Sequence, residues 1–429
     1  MFGFANFLLL ALFAAAVFDL FFALARGGGL RGALHGLWNT PHLLFGQQLA
    51  EWRLQLGRIL FAAGLAAYEI SVVFCNSMAR QNWAWVQGVM SPVLEWLAFL
   101  CFGAKILFGT RYTWRELLAG GALYFIARWV YFNSQNIWWI GIVVAVLAAK
   151  DVPLRRPLQV YFASGCAAMA VVLALHFAGI VAPDLTSERM GALRGTYGYG
   201  HPNTFGGLVF GLVLAYALLR AQKVRWVDCL LVFAVGVFLL VGPASRSAAL
   251  CTLALAVGLV FCRLRTGHSV PRWWPGTCAG MVGLTAAVSY LLPLLVIKVG
   301  PWNNDIGPAW LAKLDSLLTC RISLTWMAYR LLDVKIAGQV FNWPTVDNSF
   351  AFALFQFGPV VAALLGILFA AALLGHAKQG RRVEVCCLFA MLAYAYMEVQ
   401  PFHLTTNPTA LLLCGAVFAQ TSARWQKIE

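Results

Sequence analysis

Along this chain long apolar runs alternate with short polar breaks, and that alternation predicts its elements. Runs close to the ~20 residues needed to cross a hydrocarbon core fall at about 4–25, 59–79, 83–107, 117–132, 136–149, 158–182, 204–219, 228–242, 248–262, 277–299, 348–374, 385–400 and 408–420. The pattern predicts an all-α polytopic membrane protein with about 12–13 transmembrane helices. Connections are brief except for 26–58, 183–203 and 300–347. Within 300–347, Trp310, Leu314 and Leu317, then Leu324, Met327 and Leu331, recur at helical spacing. That spacing predicts amphipathic helices lying in the interface. No repeat period of about 20–50 residues is visible. The expectation is one integral membrane domain over 1–429, with 300–347 as a loop covering a site.

Composition strengthens this reading. Of 429 residues, 61% are hydrophobic and only 11% are charged, too few to wet the surface of a soluble domain this large. The net charge of +15 would point to nucleic acid in a soluble protein. Here the basic residues cluster in alternate short loops: Arg53 and Arg58; Arg111 and Arg115; Arg155 and Arg156; Arg220 and Arg225; Arg263 and Arg265; Arg381 and Arg382. Topology explains that distribution, and no nucleic-acid partner is implied. Positive loops face the cytoplasm, which places 183–203, 243–247 and 300–347 outside. The first apolar run has no basic residue before it and is expected to be a retained helix, not a cleaved signal. Eleven cysteines lie scattered, mostly in apolar runs, without metal-ligand spacing. Neither a zinc site, another metal site nor a disulfide framework is expected.

The chemistry-bearing residues fall on the outer side. The string Thr196-Tyr197-Gly198-Tyr199-Gly200 looks like a potassium-channel filter. A filter needs an apolar pore helix just before it. The preceding residues are polar and charged, and Pro202 follows directly, so a filter is excluded. Gly195, Gly198 and Gly200 permit tight turns, and Pro202 fits the first position of a helix. Taken alone, the string could simply reseat the chain for the next span.

Three arginines add weight. Arg194 precedes the glycine-rich turn, Arg246 follows Ser245 in a break between apolar runs, and Arg321 lies in the long loop. An arginine near hydrocarbon is costly and usually has an anionic partner. Each alone could be a snorkelling or salt-bridged residue. Three on one side point to a shared anion, because guanidinium forks match phosphate oxygens. Asp347, where the long loop enters the next span, is either a helix cap or a base for an attacking hydroxyl. Glu398, at the outer end of a span, is a functional carboxylate or the partner of an arginine. His201 is a base or a hydrogen-bonding strut. Glu69, Glu95 and Arg128 lie within spans and are expected to form structural pairs.

Taken in order, these residues resemble the O-antigen ligase and polymerase superfamily of polysaccharide-building membrane enzymes, closest to the Wzy-type polymerases of exopolysaccharide and capsule synthesis. The resemblance rests on Arg194, Gly198, Gly200, His201, Pro202 and Asn203; on Ser245-Arg246; on Arg321 with Trp326; and on Asp347-Asn348 with Phe350 and Gly358. It covers roughly 186–398 and leaves the first half matched only by its apolar helices. One departure is Asp347, where the lipid A-core ligases carry a histidine; this favours polymerase over ligase. The resemblance implies a GT-C-like glycosyltransferase fold in a bacterial cytoplasmic membrane, with an extracytoplasmic site and no cofactor. It implies transfer of a growing glycan from undecaprenyl pyrophosphate to a lipid-linked acceptor, with inversion and without metal. Arg194, Arg246 and Arg321 would hold the pyrophosphate; Asp347, His201 and Glu398 would be the catalytic group; Asn203, Ser245 and Asn348 would support them. A chain-length regulator and a flippase would be partners. A ligase, a flippase of the same lipid-linked unit and a scaffold without chemistry stay open as alternatives.

Overall fold

The computed structural model describes residues 2–26, 29–181, 187–189, 192–265, 269–296 and 307–418. Its first half contains α1 (Phe2–Ala25), α2 (Gly29–Asn39), α3 (Ala50–Cys75), α4 (Ala79–Asn82), α5 (Ser91–Phe108), α6 (Trp114–Ser134), α7 (Ile137–Ala148) and α8 (Arg155–Phe177). Then come α9 (Pro202–Leu219), α10 (Trp226–Val241), α11 (Arg246–Leu264) and α12 (Trp274–Leu291). The long loop carries α13 (Ala309–Leu317) and α14 (Arg321–Leu331), followed by α15 (Ser349–Phe352), α16 (Pro359–Lys378), α17 (Arg382–Met397) and α18 (Cys414–Val417). Among the described residues, strands are confined to two small antiparallel pairs, β1 (His42–Leu43) with β2 (Arg111–Tyr112) and β3 (Ser187–Arg189) with β4 (Ala192–Arg194).

Among the described residues, 8 helices are long and apolar enough to cross a membrane. Large side chains such as Phe7, Leu10, Phe13 and Phe21 are exposed on α1, which suits a lipid surface and not water. The chain is an all-α polytopic membrane protein. Each of the thirteen apolar runs of the sequence coincides with helical structure, but several helices are short. With 12 residues, α7 rises only about 18 Å, well under the ~30 Å hydrocarbon core. The first parts of the loops expected over 183–203 and 300–347 fall partly outside the described residues.

By contacts the chain divides into two compact units, Met1–Arg128 with Ile140–Leu208 and Ala410–Glu429, and Trp129–Trp139 with Val209–Thr409. In the first, α3 packs on α5 and α8. Small residues allow this, as is usual between membrane helices. A Cβ on Gly57 would come within 2.8 Å of the Gly109 backbone, and one on Gly64 within 2.8 Å of the Phe102 ring. Phe61 and Phe102 pack into the core with tilted rings at a centroid distance of 5.7 Å. At the end carrying the basic loops, Arg53 ties three carbonyls together, those of Leu44, Gly46 and Phe108, at 2.6, 2.8 and 2.9 Å.

In the second unit, α10 and α11 form an antiparallel hairpin, α11 packs on α17, and α12 packs on α16. The long loop contains two helices where the spacing predicted them, α13 and α14, but α14 is not amphipathic as expected: it buries Arg321, Ile322, Ser323, Thr325 and Ala328, while Leu331 is exposed. Asp315 is fully buried and caps α14: its Oδ1 accepts from the Ile322 and Ser323 amides at 2.7 and 3.1 Å. The apolar run expected to span 348–374 is broken. The four-residue α15 and a π-helical turn, Ala353–Phe357, precede α16, and Gly358 separates them with φ 88°. A Cβ on Gly358 would strike the Ile336 carbonyl, and one on Gly338, at φ 75°, would strike the Gln356 carbonyl. The two backbones cross so closely that only glycine fits at either position. Pro359 then starts α16 at a position where proline costs nothing.

Candidate functional site

The second unit gathers most of the candidate residues at the start of α11, the start of α14 and the end of α17. The break before α11 is set by Ala244 at φ 50°. Ser245 is the helix N-cap, and its buried Oγ makes no hydrogen bond among the described residues. Arg246, the first helical residue, is exposed. Ser247 points inward and donates to Glu398 Oε1 at 2.8 Å.

Glu398 is also held by Arg321, whose Nη2 lies 2.6 Å from the same oxygen. The Arg321 guanidinium further donates to the carbonyls of Met397 and Leu318 and to Ser247 Oγ. Four of its five N–H donors are thereby committed. Both charges are buried, at 7% and 5% exposure, so the pair has lost its water and must be satisfied internally.

The segment after the long loop closes on the same place. Asn348, not Asp347, caps α15, its Oδ1 accepting from the Phe350 and Ala351 amides at 2.9 and 3.1 Å. Its Nδ2 donates to Ser289 Oγ and to the Tyr396 carbonyl, both at 3.1 Å. Ser349 Oγ donates to the Glu398 carbonyl. Asp347 is therefore released from capping and sits half-buried at the head of this segment.

Arg194, His201 and Asn203 belong to the first unit. Arg194 is 6% exposed and its Nη2 donates to Asn203 Oδ1 at 2.9 Å. The Asn203 amide donates to the Nδ1 of His201, whose side chain is exposed. Within the glycine-rich string the Gly198 carbonyl accepts from the Met78 amide at 2.8 Å, and Tyr199 bridges to Ser77. Gly198 adopts φ 81°, and a Cβ there would press on His176 at 3.0 Å. The string is a tight turn pinned to the end of α3 and to α8, and Pro202 opens α9 as expected.

Of the sequence-derived candidates, Arg321 and Glu398 meet directly, and Ser245, Arg246, Asp347 and Asn348 lie on the segments that converge on them. Arg194, His201 and Asn203 form a second hydrogen-bonded set. Three residues were not anticipated. Ser247 was masked by its neighbour Ser245, Ser349 by Asn348, and Asp315 looked like an ordinary surface acid of an amphipathic helix. Six residues before Arg321, Asp315 was readable as a capping acid for the helix that begins there. Among the described residues no group of three or more His, Cys, Asp or Glu is placed to hold a metal ion. What the arrangement offers instead is an exposed guanidinium at a long helix's N-terminus, where an anion is favoured, and a half-buried carboxylate whose charge reaches Glu398. No family model, curated protein or solved structure matches this chain.

Proposed function

We propose that the chain is an inverting glycosyltransferase of GT-C-like architecture, which polymerises lipid-linked oligosaccharide repeat units at the outer face of a bacterial cytoplasmic membrane. The observation that carries this reading is exposed Arg246 at the N-terminus of α11, one residue from Ser247, which is bonded to the buried Arg321–Glu398 pair.

The donor is a growing glycan on undecaprenyl pyrophosphate, and the acceptor is a hydroxyl of the next lipid-linked unit. The acceptor oxygen attacks the anomeric carbon, its proton passes to Asp347, and the bond from that carbon to the pyrophosphate oxygen breaks. Charge grows on the departing diphosphate. Arg246 and the first amides of α11 meet that charge with preorganised donors. Arg321 adds its positive charge and one remaining N–H, while Glu398 fixes its orientation. Arg194, Asn203 and His201 form a separate hydrogen-bonded set in the first unit, and no step of the transfer is assigned to them.

The test is Arg246→Ala in a strain lacking the chromosomal copy, read as glycan length on a gel. The expected result is single repeat units on the lipid carrier, at unchanged protein level, with a loss of about 100-fold or more in chain extension. Full-length chains left unattached would make the protein a ligase. Units trapped on the inner face would make it a flippase, and wild-type polymer would remove the arginine mechanism.

A further inference from the structure

Away from these residues, α11 and α17 meet a second time. Ser247, at the start of α11, bonds Glu398 just past the end of α17. At the opposite end Cys262, in the last turn of α11, meets Cys386, in the second turn of α17. The two helices therefore run antiparallel, and their sulfurs lie 3.6 Å apart. The sequence builds this contact. Gly258 stands one turn before Cys262 on the same face of α11, and its missing side chain lets α17 come close. A Cβ there would lie 3.1 Å from the Cys386 sulfur and 3.2 Å from the Cys386 Cβ. Just beyond the sulfurs, Arg382 donates to the carbonyls of Arg265 and Ser269, which ties the start of α17 to the segment leaving α11.

The proposed glycosyl transfer uses neither sulfur. Both are thiols in this structure; Cys386 is half-buried and Cys262 is buried. A small oxidant therefore reaches Cys386 first, and finds a second thiol already in contact with it. A neighbouring thiol is what turns an oxidised cysteine into a disulfide instead of a higher acid.

We infer that Cys262 and Cys386 form an oxidation site for hydroperoxides, at which a reversible disulfide fastens α11 to α17. The Cys386 sulfur attacks the hydroperoxide and the O–O bond breaks, leaving a sulfenic acid and an alcohol, or water where the oxidant is hydrogen peroxide. The Cys262 sulfur then attacks the sulfenic sulfur. The S–O bond breaks, and the hydroxide leaves with the Cys262 proton as water. The two thiols lose two electrons and the hydroperoxide gains them. The sulfurs close to about 2.05 Å, and a thiol reductant reverses the step. The residues are 124 apart in the chain, so the bond constrains the unfolded chain over a long loop. The site is independent of the proposed glycosyl transfer.

The experiment treats the purified full chain in detergent with hydrogen peroxide, blocks the remaining thiols with N-ethylmaleimide and maps the peptides by mass spectrometry. The wild type should yield a linked Cys262–Cys386 peptide that dithiothreitol splits, recovered from the single-chain band of a non-reducing gel. The oxidised wild type should also unfold about 5 °C above the reduced protein. Cys386→Ser should lose both the linked peptide and that difference. In Cys262→Ser, Cys386 should go on to the sulfinic acid, because no thiol intercepts it. Separate oxidation of the two sulfurs in the wild type would overturn the proposal. So would a link found only between two copies of the chain, or one that leaves the unfolding midpoint where it was.

Discussion

Each of the two units buries a cation against a carboxylate, and the two neighbourhoods differ in what surrounds the pair. In the first unit, Lys150 faces Glu116 at 3.3 Å. Its Nζ also donates to the Arg111 carbonyl at 2.7 Å, and the rings of Tyr112 and Phe418 flank it. Glu116 accepts from the amide and hydroxyl of Thr113, and Lys105 closes the set by bonding Thr110 Oγ1 and the Lys150 carbonyl. Most of these groups come from one stretch, 105–151. In the second unit, the Arg321–Glu398 pair joins segments that are 77 residues apart in the chain. Beside it stand an exposed arginine, a half-buried aspartate and a serine hydroxyl that bonds to nothing described. The first network closes within one stretch of chain; the second draws distant segments around a fixed charge pair, beside a Ser245 hydroxyl that has no partner among the described residues. A buried ion pair is weak evidence of net stability in either case, although breaking one is costly. Function is better sought where distant segments converge on a fixed charge pair.

That contrast can be broken most sharply at Arg321. Arg321→Ala strands Glu398 as an unpaired buried carboxylate, which should lower unfolding stability in detergent by about 3–5 kcal/mol and end chain extension. The double change Arg321→Met with Glu398→Leu should restore much of the stability and none of the polymer. Recovery of both would reduce the pair to a structural strut. Next in size is Lys150→Met in the first unit, expected to cost about 3 kcal/mol in the same unfolding assay. Glycan made per folded molecule should stay at the wild-type level; a fall in that ratio would extend the chemistry to the first unit.

A smaller effect separates the units by pH. After α17 ends, His403 stacks on Trp138 at 3.8 Å between centroids, and burial pushes its imidazole down to about 3. The folded state keeps the ring neutral, while the unfolded chain takes up a proton below about 6.5. Stability is therefore lost as pH falls through that value. The loss between pH 6.5 and 5 should reach up to about 2 kcal/mol, trimmed because the ring keeps part of its surface open. His403→Gln should flatten the slope in a melting series; an unchanged slope would assign it to other groups.

Much of the helical plan was legible in the apolar runs, because a bilayer-length hydrophobic stretch has few alternatives. That α13 and α14 are helices was legible in the spacing of Trp310 to Leu317 and Leu324 to Leu331, but the face α14 buries was not, because it is set by Arg321 and its partners. What escaped was set by tertiary contact. Hydropathy could not see the break at Gly358, since its cause is the Ile336 carbonyl, 22 residues away in the chain. Arg321 and Glu398 were both visible as costly residues, and pairing with an arginine was one of the two roles open to Glu398. That Arg321 would spend most of its donors on that pair was not readable. That Asn348 and not Asp347 would cap α15 was not legible, because both residue types suit the role.

The crossing of Gly338 and Gly358 carries a practical warning. Each position rejects even a methyl group, so an alanine scan that scores product alone would rank both beside Arg246. The first two would fail by misassembly of the segment that leads into α16, the third by loss of a charge on a correctly built protein. Screens of this chain need a readout of folded quantity alongside product, or the backbone crossing will masquerade as catalytic machinery.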